Sequence, residues 1–471
     1  MAEVRDTPVS LFSVPLFSVV IPLESHRALW EKCLRAWLMQ SIANSEYELL
    51  LVCPPDFSER DHLERLLRDT NSVWRVLESD HKHDMGLCAF GAQHARGRYL
   101  FFTEAHCWPA NDVLALCAEA FEQHHDWVGL SCRSLPVTAT RRGEAEAAMY
   151  VADIDHGMTV HPWRKILDQC FVTRREVYAR CGGFKPEFGH FAEWALAANY
   201  HALGFFVGYL PEAHFSHPYF GDLTGLRFFT LDFVGGETRY LSDATSEPGS
   251  PLIETPDEWM TEGNFDASLA RALLKIAILH RKPRTALRWL TPAIFGDRLY
   301  RAASWLGMVA NRVRVLAAMP FSSRRKRSVA FKNYSAAVIH HQRLSSIAHE
   351  RKRRGGSARA GFHPIESVDG TQFRWSEPVA IVRIELPAGR STIVTDCLTF
   401  AAILTMKELR FRLGGKEVAD ADVLLEPHRV LITTHSERAH PSTLSWVCSR
   451  MNAPNDPRVL GLPVTSVEVA N

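Results

Sequence analysis

Five apolar runs alternate with helical spacings between residues 17 and 208, and this alternation constrains the fold more than any other feature. The runs are Phe17–Pro22, Tyr47–Cys53, Val73–Leu77, Tyr99–Thr103 and Trp127–Cys132. Between them, Arg27–Gln40, Arg60–Arg68, Leu87–Ala95 and Asn111–His124 place apolar residues at helical intervals. Strands alternating with helices predict a layered α/β domain whose sheet is mostly parallel, with helices on both faces. Such sheets bind ligands at the carboxyl ends of their strands. Leu-Phe-Phe-Thr-Glu-Ala-His-Cys-Trp-Pro, residues 100 to 109, delivers Glu104 and His106 to one of those ends. Alternation along a strand would send these two side chains to one face. A carboxylate and an imidazole are both ordinary ligands of divalent metals.

The rest of the chain changes texture twice. From about Phe220 to Arg354 helical patterns dominate, with Arg271–His280, Ala302–Ala318 and Ser328–Ala348 as expected helices and a Pro/Ser/Thr-rich break at Asp243–Pro256. From Gly361 onward, runs such as Val379–Leu386, Glu408–Leu413, Arg429–Thr434 and Val464–Val469 predict an antiparallel β-sandwich. The expected domains are therefore 1–245 for the α/β part, 246–355 for a basic helical region and 361–471 for the sandwich, with Arg351–Ala360 as a linker. The net charge of +1 hides an asymmetry. Between Arg271 and Arg354 stand about 20 Lys and Arg against only Asp297 and Glu350, so this segment carries about +18 and the remainder about −17.

The ten cysteines form no CxxC pair, which argues against a disulfide framework or a zinc cluster and for a reducing compartment. Early acidic residues and two prolines make the N-terminal apolar stretch read as a strand rather than a signal peptide. No stretch reaches the ~18 uncharged apolar residues that span a bilayer. The expectation is a cytoplasmic protein with peripheral contact to the inner membrane face.

Several segments, in order, resemble a family 2 glycosyltransferase of the GT-A fold. Phe17–Pro22 is similar to that family's first strand and Glu48–Val52 to its second. Gly86–Gly97 resembles its helix of small residues, and Gly97-Arg-Tyr-Leu-Phe-Phe-Thr-Glu-Ala-His106 falls in the register of its Asp-x-Asp metal strand. Phe171–Phe184 resembles the segment before the catalytic helix, and Phe191–Gly204 fits that helix, with Glu193 at the catalytic-base position. His217 matches a histidine that often follows the next strand. The closing segment from Asp456 resembles strands of β-sandwiches appended to bacterial polysaccharide transferases. The resemblance implies a nucleotide-diphospho-sugar donor and a divalent metal, Mn²⁺ or Mg²⁺, held by Glu104, His106 and His217. Pro22, Glu24, Cys53, Asp84 and Glu104 would then line the donor. The sequence departs from the pattern at Glu104 and His106, where two aspartates are usual. It departs again at Cys53, in place of a base-contacting aspartate, at Ala192 beside the base, and at Asn199, where an arginine is usual.

Transfer of a sugar from a nucleotide diphosphate needs neutralisation of the leaving group and deprotonation of the acceptor. A divalent metal supplies the first, and a carboxylate within hydrogen-bond reach the second. Held on opposite sides of the anomeric carbon, they favour displacement with inversion. The reading is thus an inverting transferase in surface glycan or glycoconjugate synthesis with a glycan or lipid-linked acceptor. The alternative is a catalytically degenerate scaffold that binds glycan or a partner. Glu187 competes with Glu193 as base, and Trp163-Arg164-Lys165 could grip an acceptor or a phosphate. Leu23–Arg27 supplies no phosphate-gripping glycine/arginine loop for a nucleotidyltransferase. The basic helices read either as a platform for anionic membrane or as a domain packed on the acidic part; Leu273, Leu274, Ile276, Leu279, Trp289, Leu290, Trp305 and Leu306 would supply the apolar contacts. No recognised fold supports nucleic-acid binding.

Overall fold

The computed structural model describes residues 5–6, 14–24, 29–68, 70–243, 247–256, 258, 266–353, 359–368, 371–398, 408–450, 458 and 460–470. Two compact units share the chain: residues 1–254 with 307–342, and 255–306 with 343–471. The basic helices are divided between them.

The first unit is built in the order β1 (Arg5–Asp6), β2 (Phe17–Pro22), α1 (Trp30–Trp37), β3 (Tyr47–Cys53), α2 (Arg60–Arg68), β4 (Val73–Glu78), α3 (Asp84–His94), β5 (Tyr99–Thr103), β6 (Trp108–Pro109) and α4 (Val113–Gln123). It continues through β7 (Trp127–Thr138), α5 (Arg141–Thr159), β8 (Cys170–Arg174), α6 (Arg175–Arg180), α7 (Ala192–Ala202), β9 (Phe206–Tyr219) and α8 (Leu223–Asp243). The sheet order is β1-β4-β3-β2-β5-β8-β7-β9-β6. β2 runs parallel to β3 and β5, β3 to β4, and β7 to β9, while β8 runs antiparallel between β5 and β7.

Alternation along the central strands feeds two cores. Phe17, Val19, Ile21, Tyr47, Leu49, Leu51, Tyr99 and Phe101 point to one face, where α1, α2 and α4 contribute Leu34, Trp37, Leu63, Leu67, Leu114 and Cys117. Val20, Leu50, Val52, Leu100 and Phe102 point to the other, against Leu87 and Cys88 of α3, Tyr178 of α6 and Leu196 of α7. Strands buried on both faces explain why these segments read as continuous apolar runs rather than alternating ones. α3 is rich in small residues because it lies close on the sheet: a Cβ at Gly91 would stand 2.5 Å from Val20 Cγ1 and 2.9 Å from Val52 Cγ2. Gly86, at the start of the segment expected to be a helix of small residues, lies inside α3. α5 carries no expectation from the sequence; Thr140 caps it by accepting a hydrogen bond from the Gly143 N–H at 3.0 Å.

The amino-terminal ends of the central strands are tied by Glu48. Its carboxylate accepts from Ser18 Oγ at 2.6 Å, from Arg75 Nη2 at 2.9 Å and from the Arg96 N–H at 2.7 Å. The parts of α11 (Arg298–Phe321) and α12 (Arg324–Arg353) that lie within residues 307–342 contribute Val315, Met319, Phe331 and Tyr334 to a cluster with Ala145 of α5 and Leu226 of α8.

Among the described residues the second unit holds α9 (Ala267–Leu279), α10 (Pro283–Phe295) and nine antiparallel strands. These are β10 (Arg359–Val368), β11 (Thr371–Leu386), β12 (Gly389–Cys397), β13 (Arg410–Leu413), β14 (Lys416–Glu417), β15 (Val423–Glu426), β16 (Arg429–Ser436), β17 (His440–Val447) and β18 (Pro463–Ala470). Hydrogen bonding runs continuously in the order β14-β13-β17-β11-β18-β12-β16-β15, with β10 on β11. The C-terminal strands therefore form one antiparallel sheet around a core that includes Ile393, Ile432, Leu444 and Trp446. Phe373 and Trp375 are buried and belong to the packing of this unit rather than to a surface. Leu273, Ile276 and Trp289 are likewise buried, against Val379 and Ile381, so they offer nothing to a membrane. Of the expected closing segment, Asp456 lies outside the described residues. All ten cysteines are free and buried, and among the described residues no helix is long and apolar enough to cross a membrane.

Candidate active site

The site forms where β5 ends. β5 stops at Thr103, and Glu104–Cys107 make a turn closed by the Cys107 N–H donating to the Glu104 carbonyl at 3.1 Å. Glu104 and His106 therefore converge through a turn, not through strand alternation as the sequence suggested. β6 then pairs with β9, Trp108 opposite Ser216, and this register carries His217 in beside the turn.

Three ligand atoms meet there. His106 Nε2 lies 3.2 Å from Glu104 Oε2, His217 Nε2 lies 3.3 Å from the same oxygen, and the two Nε2 atoms are 3.3 Å apart. The corners of such a triangle stand about 1.9 Å from its centre, so an ion about 2.1 Å from each atom sits just above the plane. The residues present thus fit a divalent metal. His106 Nδ1 faces Glu24 Oε1 at 3.5 Å. A proton kept on Nδ1 by that carboxylate leaves the Nε2 lone pair for a ligand. His217 Nδ1 is buried and has no hydrogen-bond partner among the described residues. Cys107 Sγ reaches Glu104 Oε2 at 3.3 Å, and all four side chains keep their ligand atoms within 4.8 Å of one another.

Carboxylates crowd around this group. Burial, then the charge of neighbouring Glu24, pushes Asp84 up to about 7; His190 partly offsets both. Burial, then Glu104, pushes Asp168 up to about 7. Glu193, in the first turn of α7, is held well above the usual carboxylate range by burial and then by the charge of Asp168, with Glu104 adding to the effect. Among the described residues, His190 stands as a cation beside these acids. Burial opposes the charged form of His190, but its hydrogen bonds to Asp232 and Asp84 outweigh it and hold the imidazole well above its ordinary value. His190 Nδ1 lies 2.6 Å from Asp232 Oδ2, whose carboxylate also accepts the His190 N–H at 2.8 Å. Gly189 makes this possible: its φ is 48°, and a Cβ there would stand 2.4 Å from Asp232 Oδ2. Buried carboxyls that disfavour one another's ionisation are a setting in which a divalent ion stabilises the charged form of its ligands. Orphaned atoms mark the same region: Asp84 Oδ1 and Gln169 Oε1 are buried without partners among the described residues.

The structure thus gathers Glu24, Asp84, Glu104, His106, Glu193 and His217. Pro22 and Cys53 end the adjacent strands β2 and β3. Burial pushes the Cys53 thiol up to about 12, so it stays protonated. Asn199 has a structural task. Its amide donates to Glu247 Oε2 at 2.9 Å and its oxygen accepts the Gly249 N–H at 2.8 Å. Lys165 Nζ donates to the Met158 carbonyl at the end of α5, and the Arg164 guanidinium stacks on Trp194 at 3.9 Å. Sequence reasoning missed Cys107, Asp168 and His190. Asp168 had a signal, an isolated acid between Ile166-Leu167 and the apolar start of β8.

No known family matches the chain, and no curated protein matches it. Among solved structures, it is similar to the mannosyltransferase PcManGT from Pyrobaculum calidifontis in complex with GDP-Man and Mn²⁺, at 16% identity and a TM-score of 0.43, covering 70% of this chain and 87% of that one. It is also similar to residues 1–349 of S. aureus TarS, at 12% identity and a TM-score of 0.35, covering 76% of this chain and 95% of that one. TarS 1–349 in complex with UDP-GlcNAc is similar at 11% identity and a TM-score of 0.36, with the same coverage. At these values the function rests on the geometry of the site itself.

Proposed function

We propose that the chain is a metal-dependent glycosyltransferase of the GT-A, family 2 type that moves a sugar from a nucleotide-diphospho-sugar to an acceptor hydroxyl with inversion. The observation that carries this reading is the triangle of Glu104, His106 and His217 with the high-pKa carboxyl of Glu193 in its electrostatic neighbourhood. A divalent ion bound by the three would neutralise the leaving diphosphate. Glu24 orients His106 from behind. Glu193 takes the proton of the acceptor hydroxyl, and its raised pKa makes it a stronger base than an ordinary carboxylate. Glu24 and Asp84 face the donor, and Pro22 and Cys53 wall it. With a thiol in place of an acid at residue 53, the base is held by shape more than by a hydrogen bond. The hydrogen bonds of Asn199 explain its departure as loop anchoring, so this departure does not favour the scaffold alternative.

The acceptor side belongs to surface glycan or glycoconjugate synthesis at a membrane face. α11 supports that part. Val309, Val313 and Leu316 follow helical spacing and are 37% to 60% exposed. Arg312 and Arg314 flank them, also exposed, and the helix contains no acid. An apolar stripe with arginine borders suits an anionic bilayer surface.

Thermal-shift titration with a panel of nucleotide diphosphates, with and without divalent metal, tests the enzyme. Stabilisation by one nucleotide that requires the metal is expected. Stabilisation by none of them would refute the donor reading and leave the scaffold.

A further inference from the structure

We propose that Cys107 is a fourth protein ligand of the metal, bound as thiolate, and that the site therefore selects zinc-like borderline ions over Mg²⁺ and Mn²⁺. The inference rests on the metal-site reading above and narrows it. The Glu104–Cys107 turn folds the Cys107 side chain back beside Glu104, with Sγ 3.3 Å from Oε2. Sγ lies within 4.8 Å of the ligand nitrogens of both His106 and His217. In a zinc site with Zn–S of about 2.3 Å and Zn–N of about 2.1 Å, neighbouring ligand atoms stand roughly 3.3 to 3.7 Å apart, so shifts of about 1 Å or less complete the set. Cys107 is fully buried and accepts no solvent as a competing partner.

The donor chemistry decides the metal. Carboxylate and water oxygens suit Mg²⁺ and Mn²⁺, whereas imidazole and thiolate suit zinc and its neighbours. Two imidazoles and a thiolate beside one carboxylate place this site in the second group. On binding, the Sγ–H bond breaks, its electron pair forms the Sγ–metal bond and the proton leaves to solvent. The hydrogen bond to Glu104 Oε2 is lost with it, freeing that oxygen for the metal.

Cobalt(II) loading of the full chain tests this by absorption spectroscopy. Wild type should bind about one cobalt and show a thiolate-to-cobalt charge-transfer band in the near ultraviolet. Cys107→Ser should keep cobalt binding through the other three ligands, lose the band, and lose at least tenfold in zinc affinity relative to Mn²⁺ affinity. Cys33→Ser, which removes another buried thiol near the Glu104 carbonyl, should keep the band. Metal-free melting of each variant controls for folding. Cobalt bound without the band, or a band that survives Cys107→Ser, overturns the thiolate ligand and leaves the three-residue site standing. Failure of wild type to bind cobalt or zinc overturns both.

Discussion

Asp84→Asn should change how stability depends on pH, because Asp84 is an acid buried where its charge is unwelcome. Burial and then Glu24 push its carboxyl from 3.8 up to about 7, while the unfolded chain ionises near 3.9. Between about pH 4 and pH 6.5 the folded state therefore holds a proton that the unfolded state has lost. Stability falls with pH wherever the native state binds more protons, by about 1.4 kcal/mol per unit for one group. Over this window Asp84 costs the metal-free wild type about 3 kcal/mol, and asparagine removes that cost. The window excludes two neighbours. His190 is raised, so its contribution is complete below its unfolded value of 6.5 and is lost only as pH climbs toward its folded value. Asp232 is depressed, so its contribution is lost only as pH falls below 3.8. Urea unfolding at several pH values in the presence of a chelator measures the effect. The stability of Asp84→Asn relative to wild type should rise by about 3 kcal/mol between pH 4 and pH 6.5. A difference that stays constant across the window would mean that Asp84 is ionised in the folded protein throughout, and the reasoning would fail.

Three further outcomes follow from other residues. Glu193→Gln should lower sugar transfer by roughly 10²- to 10⁴-fold while the metal-dependent thermal shift with nucleotide persists; transfer at the wild-type rate would remove Glu193 from the base role. Glu48→Ala should destabilise the first unit by about 3–5 kcal/mol, since it leaves Arg75 buried without its carboxylate, and calorimetry of the variant checks it. Replacing Val309, Val313 and Leu316 with serine should release the protein from anionic vesicles at low salt; retention equal to wild type would show that this face of α11 does not meet the bilayer.

The strands of the first unit were legible because double-sided burial leaves an apolar run in the sequence, as in Tyr47–Cys53, whose every residue is buried. The antiparallel C-terminal strands were legible from the Gly- and Asp-rich breaks between them. What escaped was α5, whose Ala/Glu-rich composition gives a weak apolar period, and the continuous bonding of the C-terminal sheet, because strand order is set by contacts far apart in sequence.

The candidate site divides along the same physical line. Glu104, His106 and His217 could be named because their residue types announce metal chemistry wherever the backbone places them. Cys107 could not, because a buried cysteine beside a strand usually packs as a small apolar residue; only the turn that brings its sulfur to Glu104 gives it a second meaning. Asp168 and His190 are more extreme cases. Neither carries a motif, and their perturbed protonation arises from burial and from groups that the fold brings from three separate segments: Asp84 at the start of α3, Glu104 after β5 and Asp232 in α8. A carboxylate that titrates near neutrality is a property of such an enclosure rather than of a residue, so it becomes readable only when the loops that close the enclosure are in place. The sequence therefore exposes the atoms that would hold a metal, while the charge balance that decides whether the site binds and turns over belongs to the tertiary structure.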